Sequence, residues 1–396
     1  MPGIKPYLPH QQPPAKVRMS SCEKSLPAEL DADPRWGFTM RGWDFSRAEV
    51  AAAIQGHRLL NPAMELGTNV CPWNCDFCFT ESPDNRDGRK RRLSDELSLE
   101  RRLALIDEAA DLGAKSINFV GAGEPTIDPD FWSLLDRMRQ RDIVPIIYTE
   151  ASLRLKSQSF SKRLFDLGAT VVLKMNSLYN PDYQNRVLRG IRPKVGIPTV
   201  NYFDERKRAL DMLIDIGFNQ SCPTRLAFDC IICRENVGEI EDIHRFARQN
   251  NIFALFVNYL PSGRTVDGHT SAITWPEQHN IFKRLAEIDK AEFGLEHASH
   301  FPYSGGVPCT IRGLGLFVKI RGEVFDCPGE LIALGNVRND SLSAVWQKAR
   351  SITSGFNGEC LPRQLFWKRM ASLNSAAHPD RTAPSSAHQA LQPSLQ

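Results

Sequence analysis

The chain has 396 residues, of which 42% are hydrophobic and 24% are charged, close to the averages of soluble globular proteins. This composition excludes a chain that is disordered throughout, a collagen-like repeat and a small disulfide-stapled protein, and no apolar run approaches the ~18 residues of a membrane span. The net charge of +3 is too small to indicate a nucleic-acid or membrane-surface partner by itself.

Both ends of the chain look unable to pack. Residues 1–35 are rich in proline, and residues 375–396 lack apolar periodicity, so both segments are predicted to be flexible tails. The N-terminus has no apolar stretch of the kind found in secretory signals, which predicts a cytoplasmic protein. In a reducing compartment, clustered cysteines more often hold metal than form disulfides.

Six short apolar segments between the tails are predicted to be strands, at 64–68, 116–121, 143–149, 170–176, 225–232 and 252–259. Helical patterns separate or follow them at 95–112, 130–141, 159–167, 205–216, 237–250 and 276–288. Such a series predicts an α/β fold with a parallel sheet, either barrel-like or doubly wound. Ligands of these sheets bind at the carboxyl ends of the strands.

The loop after the first predicted strand carries three cysteines, Cys71, Cys75 and Cys78, in the spacing C-x3-C-x2-C, with Phe77 before the last. Three thiolates within eight residues are suited to three corners of an iron–sulfur cube, which leaves one iron open. The alternative is a structural zinc loop. Zinc sites usually pair two short cysteine or histidine elements, and no second element lies nearby in the sequence.

At these residues the sequence resembles the radical S-adenosylmethionine (SAM) superfamily, whose signature is C-x3-C-x-aromatic-C. The resemblance implies a partial (βα)6 TIM-like barrel over residues 36–290. It also implies a [4Fe–4S] cluster on Cys71, Cys75 and Cys78, with SAM on the open iron. An external donor such as flavodoxin or ferredoxin would supply an electron, and SAM would be cleaved to methionine and a 5′-deoxyadenosyl radical.

The same resemblance assigns further residues to SAM. The segment Gly121-Ala122-Gly123-Glu124 is similar to the superfamily's Gly-Gly-Glu element, with alanine in place of one glycine. The residues expected to bind SAM are Phe77, Gly121, Gly123, Glu124, Asn176 and Ser177. Lys174 is a weaker candidate for the same role, and Arg264 is a candidate for an anionic group.

The C-terminal region carries Cys309, Cys327 and Cys360, the first two in the spacing C-x12-G-x4-C around a predicted hairpin turn at Arg321-Gly322. This arrangement resembles the SPASM and twitch extensions of radical SAM enzymes. It implies a small α+β domain at 291–374 with a second [4Fe–4S] cluster. The fourth ligand would be His297, His300, a more distant thiol or none, and the alternative is three unrelated cysteines.

The leading hypothesis is a radical SAM enzyme that oxidises a peptide or natural-product substrate with help from the second cluster. The alternatives are a redox-neutral rearrangement or epimerisation, and a non-catalytic iron–sulfur electron-transfer protein. Cys230 and Cys233 are interpreted as buried thiols of the barrel wall. The basic run 86–92 is interpreted as a solvated loop that, if functional, faces a reductant or an anionic substrate. Trp36 and Trp43 are expected either to pack the N-terminal segment onto the barrel or to recognise a peptide.

Overall fold

The computed structural model describes residues 39–82, 84–85, 90–190, 201–260, 262–266, 269–295, 311–329 and 332–353. Outside these residues lie the predicted tails at 1–35 and 375–396, positions 86–89 of the basic run, Trp36, His297, His300, Cys309 and Cys360. Predictions made for those positions therefore stay predictions.

The strands of the described part are, in chain order, β1 (Ala63–Gly67), β2 (Trp73–Cys75), β3 (Ser116–Gly121), β4 (Val144–Thr149), β5 (Thr170–Lys174), β6 (Leu188–Gly190), β7 (Leu226–Ile231), β8 (Phe253–Val257), β9 (Phe317–Val318), β10 (Glu323–Phe325) and β11 (Ala333–Asn336). Nine of these form one sheet in the order β11-β10-β9-β1-β3-β4-β5-β7-β8. Within this order the six neighbouring strands β1, β3, β4, β5, β7 and β8 are parallel to one another. Because the sheet ends on two different strands, it is an open, partial barrel, as predicted.

The helices are α1 (Arg47–Gly56), α2 (Leu99–Asp111), α3 (Phe131–Gln140), α4 (Gln158–Asp166), α5 (Pro181–Val187), α6 (Tyr202–Ile216), α7 (Ile240–Gln249), α8 (Trp275–Ile288), α9 (Ile311–Leu314) and α10 (Leu342–Thr353). They connect and cover the strands, so strands such as β1 are buried on both faces. None of them is long and apolar enough, within the described residues, to cross a bilayer.

All six predicted parallel strands are confirmed to within two residues at either end. The first predicted helix begins four residues later than expected, because Ser98 caps α2 by accepting a hydrogen bond from the backbone N–H of Arg101. Two residues before Ser98, the carboxylate of Glu96 accepts hydrogen bonds from the backbone N–H groups of Asn69 and Leu93. The side chains of Ser98 and Glu96 thus bind backbone N–H groups ahead of the helix, and the helix begins only after Ser98.

Residues 40–43, near the start of the described part, pack against the parallel sheet. The indole of Trp43 donates a hydrogen bond from Nε1 to Oδ1 of Asn118 at 3.0 Å, and its ring meets Phe253 edge-on. Gly42 adopts a positive φ of 93°, and a Cβ there would lie 2.8 Å from Ile146. Trp43 therefore packs inside the barrel, which confirms the first of the two expectations for it, while recognition of a peptide stays a prediction.

The predicted C-terminal hairpin is confirmed, and it extends the core sheet. Gly322 at the turn has a φ of 96°, where glycine is favoured. Strand β9 lies parallel to β1, with Phe317 opposite Ala63. The carboxylate of Glu65 accepts a hydrogen bond from the backbone of Ile320, which ties the hairpin to the first strand of the barrel.

Candidate functional site

A cavity of about 240 Å³ opens at the carboxyl ends of the parallel strands. Its lining includes the loop after β1 and residues of β3, β4, β5, β7 and β8, and it extends inside the barrel to Trp43 and Ala63. It brings together seven of the predicted site residues: Cys71, Cys75, Phe77, Cys78, Gly121, Gly123 and Glu124. Its charged and phenolic residues include Lys90, Tyr148, Glu150, Lys174 and Asp229.

The three cysteines of the first loop are free thiols at the edge of this cavity. Burial raises the pKa of Cys71 well above its ordinary value and that of Cys75 to about 12, and each is raised further by a neighbouring thiol. Binding of a metal must therefore displace protons from them. The donor set consists of soft sulfur ligands, which suits iron–sulfur chemistry.

A structural zinc site is the alternative for these thiols. Zinc holds its thiolates about 2.3 Å from one point, in a tetrahedron. In the part of the chain that the structure describes, no three cysteine, histidine or carboxylate side chains converge in this way. All three thiols line the same cavity.

The turn after β3 packs directly on the cysteine loop. The backbone N–H of Gly123 donates to the carbonyl of Thr68, and that of Glu124 donates to the carbonyl of Val70, both at 2.9 Å. A Cβ at Gly123 would lie 2.0 Å from the Val70 carbonyl oxygen, and a Cβ at Gly121 would lie 2.1 Å from that of Gly123. Gly123 is therefore required for the close approach of this turn to the cysteine loop, and Gly121 is required for the tightness of the turn itself.

Two buried carboxylates lie on the same side of the cavity. Glu124 accepts hydrogen bonds from the backbone and hydroxyl of Thr126, from the hydroxyl of Thr149 and from the backbone N–H of Glu150. Burial raises the pKa of Glu124 in spite of these donors. Burial, followed by the charge of Glu124, raises the pKa of Glu150 to about 8. A cationic ligand group in the cavity would stabilise both carboxylates.

An ion pair lies opposite them, at the ends of β5 and β7. Nζ of Lys174 is 2.8 Å from Oδ2 of Asp229 and 4.6 Å from the centre of the Phe77 ring. Burial, followed by the charge of Asp229, raises the pKa of Tyr148. Sequence analysis did not identify Asp229 or Glu150. A charged residue within an otherwise apolar parallel strand was the available signal for Asp229, and one directly after such a strand was the signal for Glu150.

Asn176 and Ser177 are not among the residues that line the cavity, and their assignment to SAM stays a prediction. The hydroxyl of Ser177 donates to the carboxylate of Glu239 at 2.8 Å. Oδ1 of Asn176 accepts a hydrogen bond from the backbone N–H of Ile231. Both side chains are buried in the connection after β5, where they satisfy backbone and side-chain groups of the fold.

Arg264 holds the cysteine loop through its side chain and its backbone, and its predicted role toward an anionic group stays a prediction. Its NH1 donates to the carbonyl of Cys75 at 2.8 Å, and its backbone N–H donates to the carbonyl of Cys78 at 3.0 Å. The neighbouring hydroxyl of Ser262 donates to the carbonyl of Phe79. The loop after β8 thus holds the cysteine loop against the barrel.

Three further cysteines of the described part, Cys230, Cys233 and Cys327, are buried free thiols. Cys230 and Cys233 lie in the barrel wall as predicted, and the sulfur of Cys233 is 2.8 Å from the hydroxyl of Tyr183. Cys327 follows β10 and is 7% exposed, and the next residue, Pro328, lines the cavity. The hairpin therefore brings one of the three C-terminal cysteines to the border of the site.

A partial barrel with a three-thiol loop packed on a glycine–glutamate turn defines an enzyme that holds an iron–sulfur cluster at the barrel mouth. Residues 66–247 match the family described as the Radical SAM superfamily. These residues, which include the cysteine loop and the glycine–glutamate turn, form a radical SAM domain, and with it come the [4Fe–4S] cluster and SAM as cofactors.

The curated relatives include the mycofactocin maturase MftC of Mycolicibacterium smegmatis, which is 25% identical over 298 residues, 71% of this chain and 68% of the relative. Among solved structures, Streptococcus suis SuiB bound to S-adenosylmethionine has a TM-score of 0.55 at 17% identity, over 80% of this chain and 77% of that chain. Native anSMEcpe with bound AdoMet has a TM-score of 0.54 at 14% identity, over 81% and 100%. At these identities the two structures show a shared fold.

Proposed function

We propose that this protein cleaves SAM reductively and uses the resulting radical to abstract a hydrogen atom from a peptide substrate, which it then oxidises. The observation that carries the proposal is the convergence of Cys71, Cys75 and Cys78 with Glu124 on one cavity at the carboxyl edge of the sheet. The donor set suits the cluster, and the buried carboxylates suit a ligand that carries an ammonium group.

The residues of the chain prepare the site for this chemistry. Cys71, Cys75 and Cys78 would hold the cluster, while the glycine turn and Arg264 fix the loop that carries them. When bound, the cluster supplies the electron that cleaves SAM to methionine and a 5′-deoxyadenosyl radical. Glu124 is held by four hydrogen bonds, so it offers a fixed negative charge to the ammonium of SAM.

Support for a peptide substrate comes from the relatives and fold neighbours. MftC is described as a maturase, and one SuiB structure, which has a TM-score of 0.55, is described as bound to precursor peptide SuiA. The cavity of this chain has mostly apolar walls and one ion pair, Lys174–Asp229, at the ends of its strands. An apolar cleft with few polar anchors suits one side chain held in a defined orientation.

The oxidation step is assigned to an auxiliary cluster on Cys309, Cys327 and Cys360, in a domain over 291–374. Hydrogen abstraction leaves a substrate radical, and oxidation requires that this radical lose one electron and one proton. The auxiliary cluster would accept the electron, and the position of Cys327 beside the cavity-lining Pro328 supports that route. An external donor such as flavodoxin or ferredoxin would reduce the first cluster.

The test uses anaerobically reconstituted protein with SAM, a strong reductant and a deuterated candidate peptide. We expect deoxyadenosine that contains deuterium, together with a peptide product that has lost two hydrogens. Cys75→Ala should abolish deoxyadenosine formation. Cys233→Ala is the matched control, because it removes a thiol outside the cavity lining, and it should retain formation. Zinc or no metal in place of iron, or no deoxyadenosine from the wild type, would overturn the proposal.

The auxiliary cluster is tested separately. Cys327→Ala should still form deoxyadenosine but should lose the oxidised product. Product formation at the wild-type rate would remove the auxiliary cluster from the mechanism. A product with the same mass as the substrate would favour the redox-neutral alternative instead.

A further inference from the structure

Lys90 differs from its neighbours in the basic run 86–92. Arg91 and Arg92 are exposed, and the Arg92 side chain, which forms an ion pair with Glu96, is 59% exposed. Lys90 is 7% exposed, and its backbone forms an antiparallel bridge with Cys71, the first cysteine of the cluster loop. Pairing with the loop turns this one side chain into the cavity.

The ammonium of Lys90 lies among neutral groups and a thiol. It donates to the hydroxyl of Thr80 at 2.6 Å and to the carbonyl of Ala122, and it lies 3.9 Å from the sulfur of Cys78. The Thr80 hydroxyl is itself 3.4 Å from the same sulfur. No carboxylate of the described residues forms an ion pair with Lys90, whereas the other lysine of the cavity, Lys174, is paired with Asp229.

Burying an ammonium group without a nearby negative charge costs free energy, because the group loses its hydration without gaining an ion pair. Three cysteine thiolates on an iron–sulfur cube supply the missing negative charge, and the cube becomes more negative when it accepts an electron. Hydrogen bonds and nearby charges at the sulfur ligands set the reduction potential of such clusters. A fixed cation at Cys78 stabilises the reduced cluster more than the oxidised one.

We infer that Lys90 is a positioning residue for the electron-transfer step: its ammonium, held by Thr80 and Ala122, donates to the Cys78 thiolate and makes the SAM-binding cluster easier to reduce. This inference rests on the proposed cluster at Cys71, Cys75 and Cys78. It adds a redox function to one residue of a run that the sequence alone predicts to be solvated.

The test measures the reduction potential of the first cluster by electron paramagnetic resonance during a redox titration, with and without SAM. Auxiliary-cluster signals are removed by working in a Cys327→Ala background. The variants are K90M, which removes the charge, K90R, which keeps it, and K90Q, which keeps a polar group and serves if K90M does not assemble a cluster. R92M is the matched control, because it removes an exposed charge from the same run.

We expect K90M to shift the one-electron equilibrium at least tenfold toward the oxidised cluster, which corresponds to a potential about 59 mV lower. K90Q should shift it in the same direction, whereas K90R and R92M should stay near the parent. An unchanged potential in K90M and K90Q with full iron content would overturn the inference. Weaker SAM binding with an unchanged potential would also overturn it and would assign Lys90 to the ligand carboxylate. Absence of a cluster in the parent would instead overturn the proposed function.

Discussion

Replacing Gly123 with alanine tests whether the glycine turn holds the cysteine loop in place. A Cβ at Gly123 would lie 2.0 Å from the carbonyl oxygen of Val70 and 2.5 Å from its carbonyl carbon. Since real Cβ atoms essentially never approach another heavy atom within 3.0 Å, the two segments must separate by about 1 Å. That movement stretches both backbone hydrogen bonds that join them, Gly123 to Thr68 and Glu124 to Val70.

The expected cost follows from those two bonds. Each contributes about 0.5–1.5 kcal/mol net, so their loss should lower the free energy of unfolding of the metal-free protein by about 1–3 kcal/mol. The displaced loop carries Cys71, so we also expect less iron per chain after anaerobic reconstitution. Urea unfolding followed by circular dichroism measures the first effect, and iron analysis measures the second.

Gly238→Ala is the control for this substitution. A Cβ at Gly238 would have no neighbour within 4 Å, so the same chemical change should leave stability unchanged or raise it by about 0.4–1 kcal/mol. It should also leave iron content unchanged. If Gly123→Ala matched the wild type in both unfolding free energy and iron content, the close packing of turn and loop would be refuted as the reason for this glycine.

Two further predictions concern the loop and the buried carboxylates. Arg264→Met removes the donor to the Cys75 carbonyl and should destabilise the cysteine loop by on the order of 1 kcal/mol. We therefore expect the variant to lose iron to a chelator faster than the wild type. An unchanged rate of iron release would contradict this role. Glu150→Gln removes a carboxyl group whose pKa is raised by burial from 4.5 to about 8. Between these pH values unfolding of the wild type releases a proton, so the free energy of unfolding of the wild type falls as the pH rises from about 4.5 to about 8. The variant lacks this loss, and its stability relative to the wild type should increase from about pH 5 to about pH 8, by at most 1.36 kcal/mol per pH unit. A difference that does not change with pH, in urea unfolding of the metal-free proteins, would show that Glu150 is charged throughout.

Much of the fold and the identity of the metal-binding loop were determined by local sequence patterns. Apolar runs of five to eight residues predicted the parallel strands because both faces of such strands are covered, and this requirement leaves a continuous signal in the chain. The spacing of Cys71, Cys75 and Cys78 predicted a shared site because residues that close in sequence cannot be far apart in space. The glycine turn was predicted for the same reason, as a short segment directly after a strand.

Only the tertiary structure decided which partners the long polar side chains take. Lys90 and Arg92 are equally basic in sequence, yet backbone pairing with Cys71 turns one inward and leaves the other exposed. Arg264 reaches a carbonyl 189 positions away along the chain, and Ser177 reaches Glu239 across 62. These choices depend on elements brought together by the barrel. A local pattern encodes burial and turn geometry, but a flexible charged side chain binds whichever group folding places within its reach.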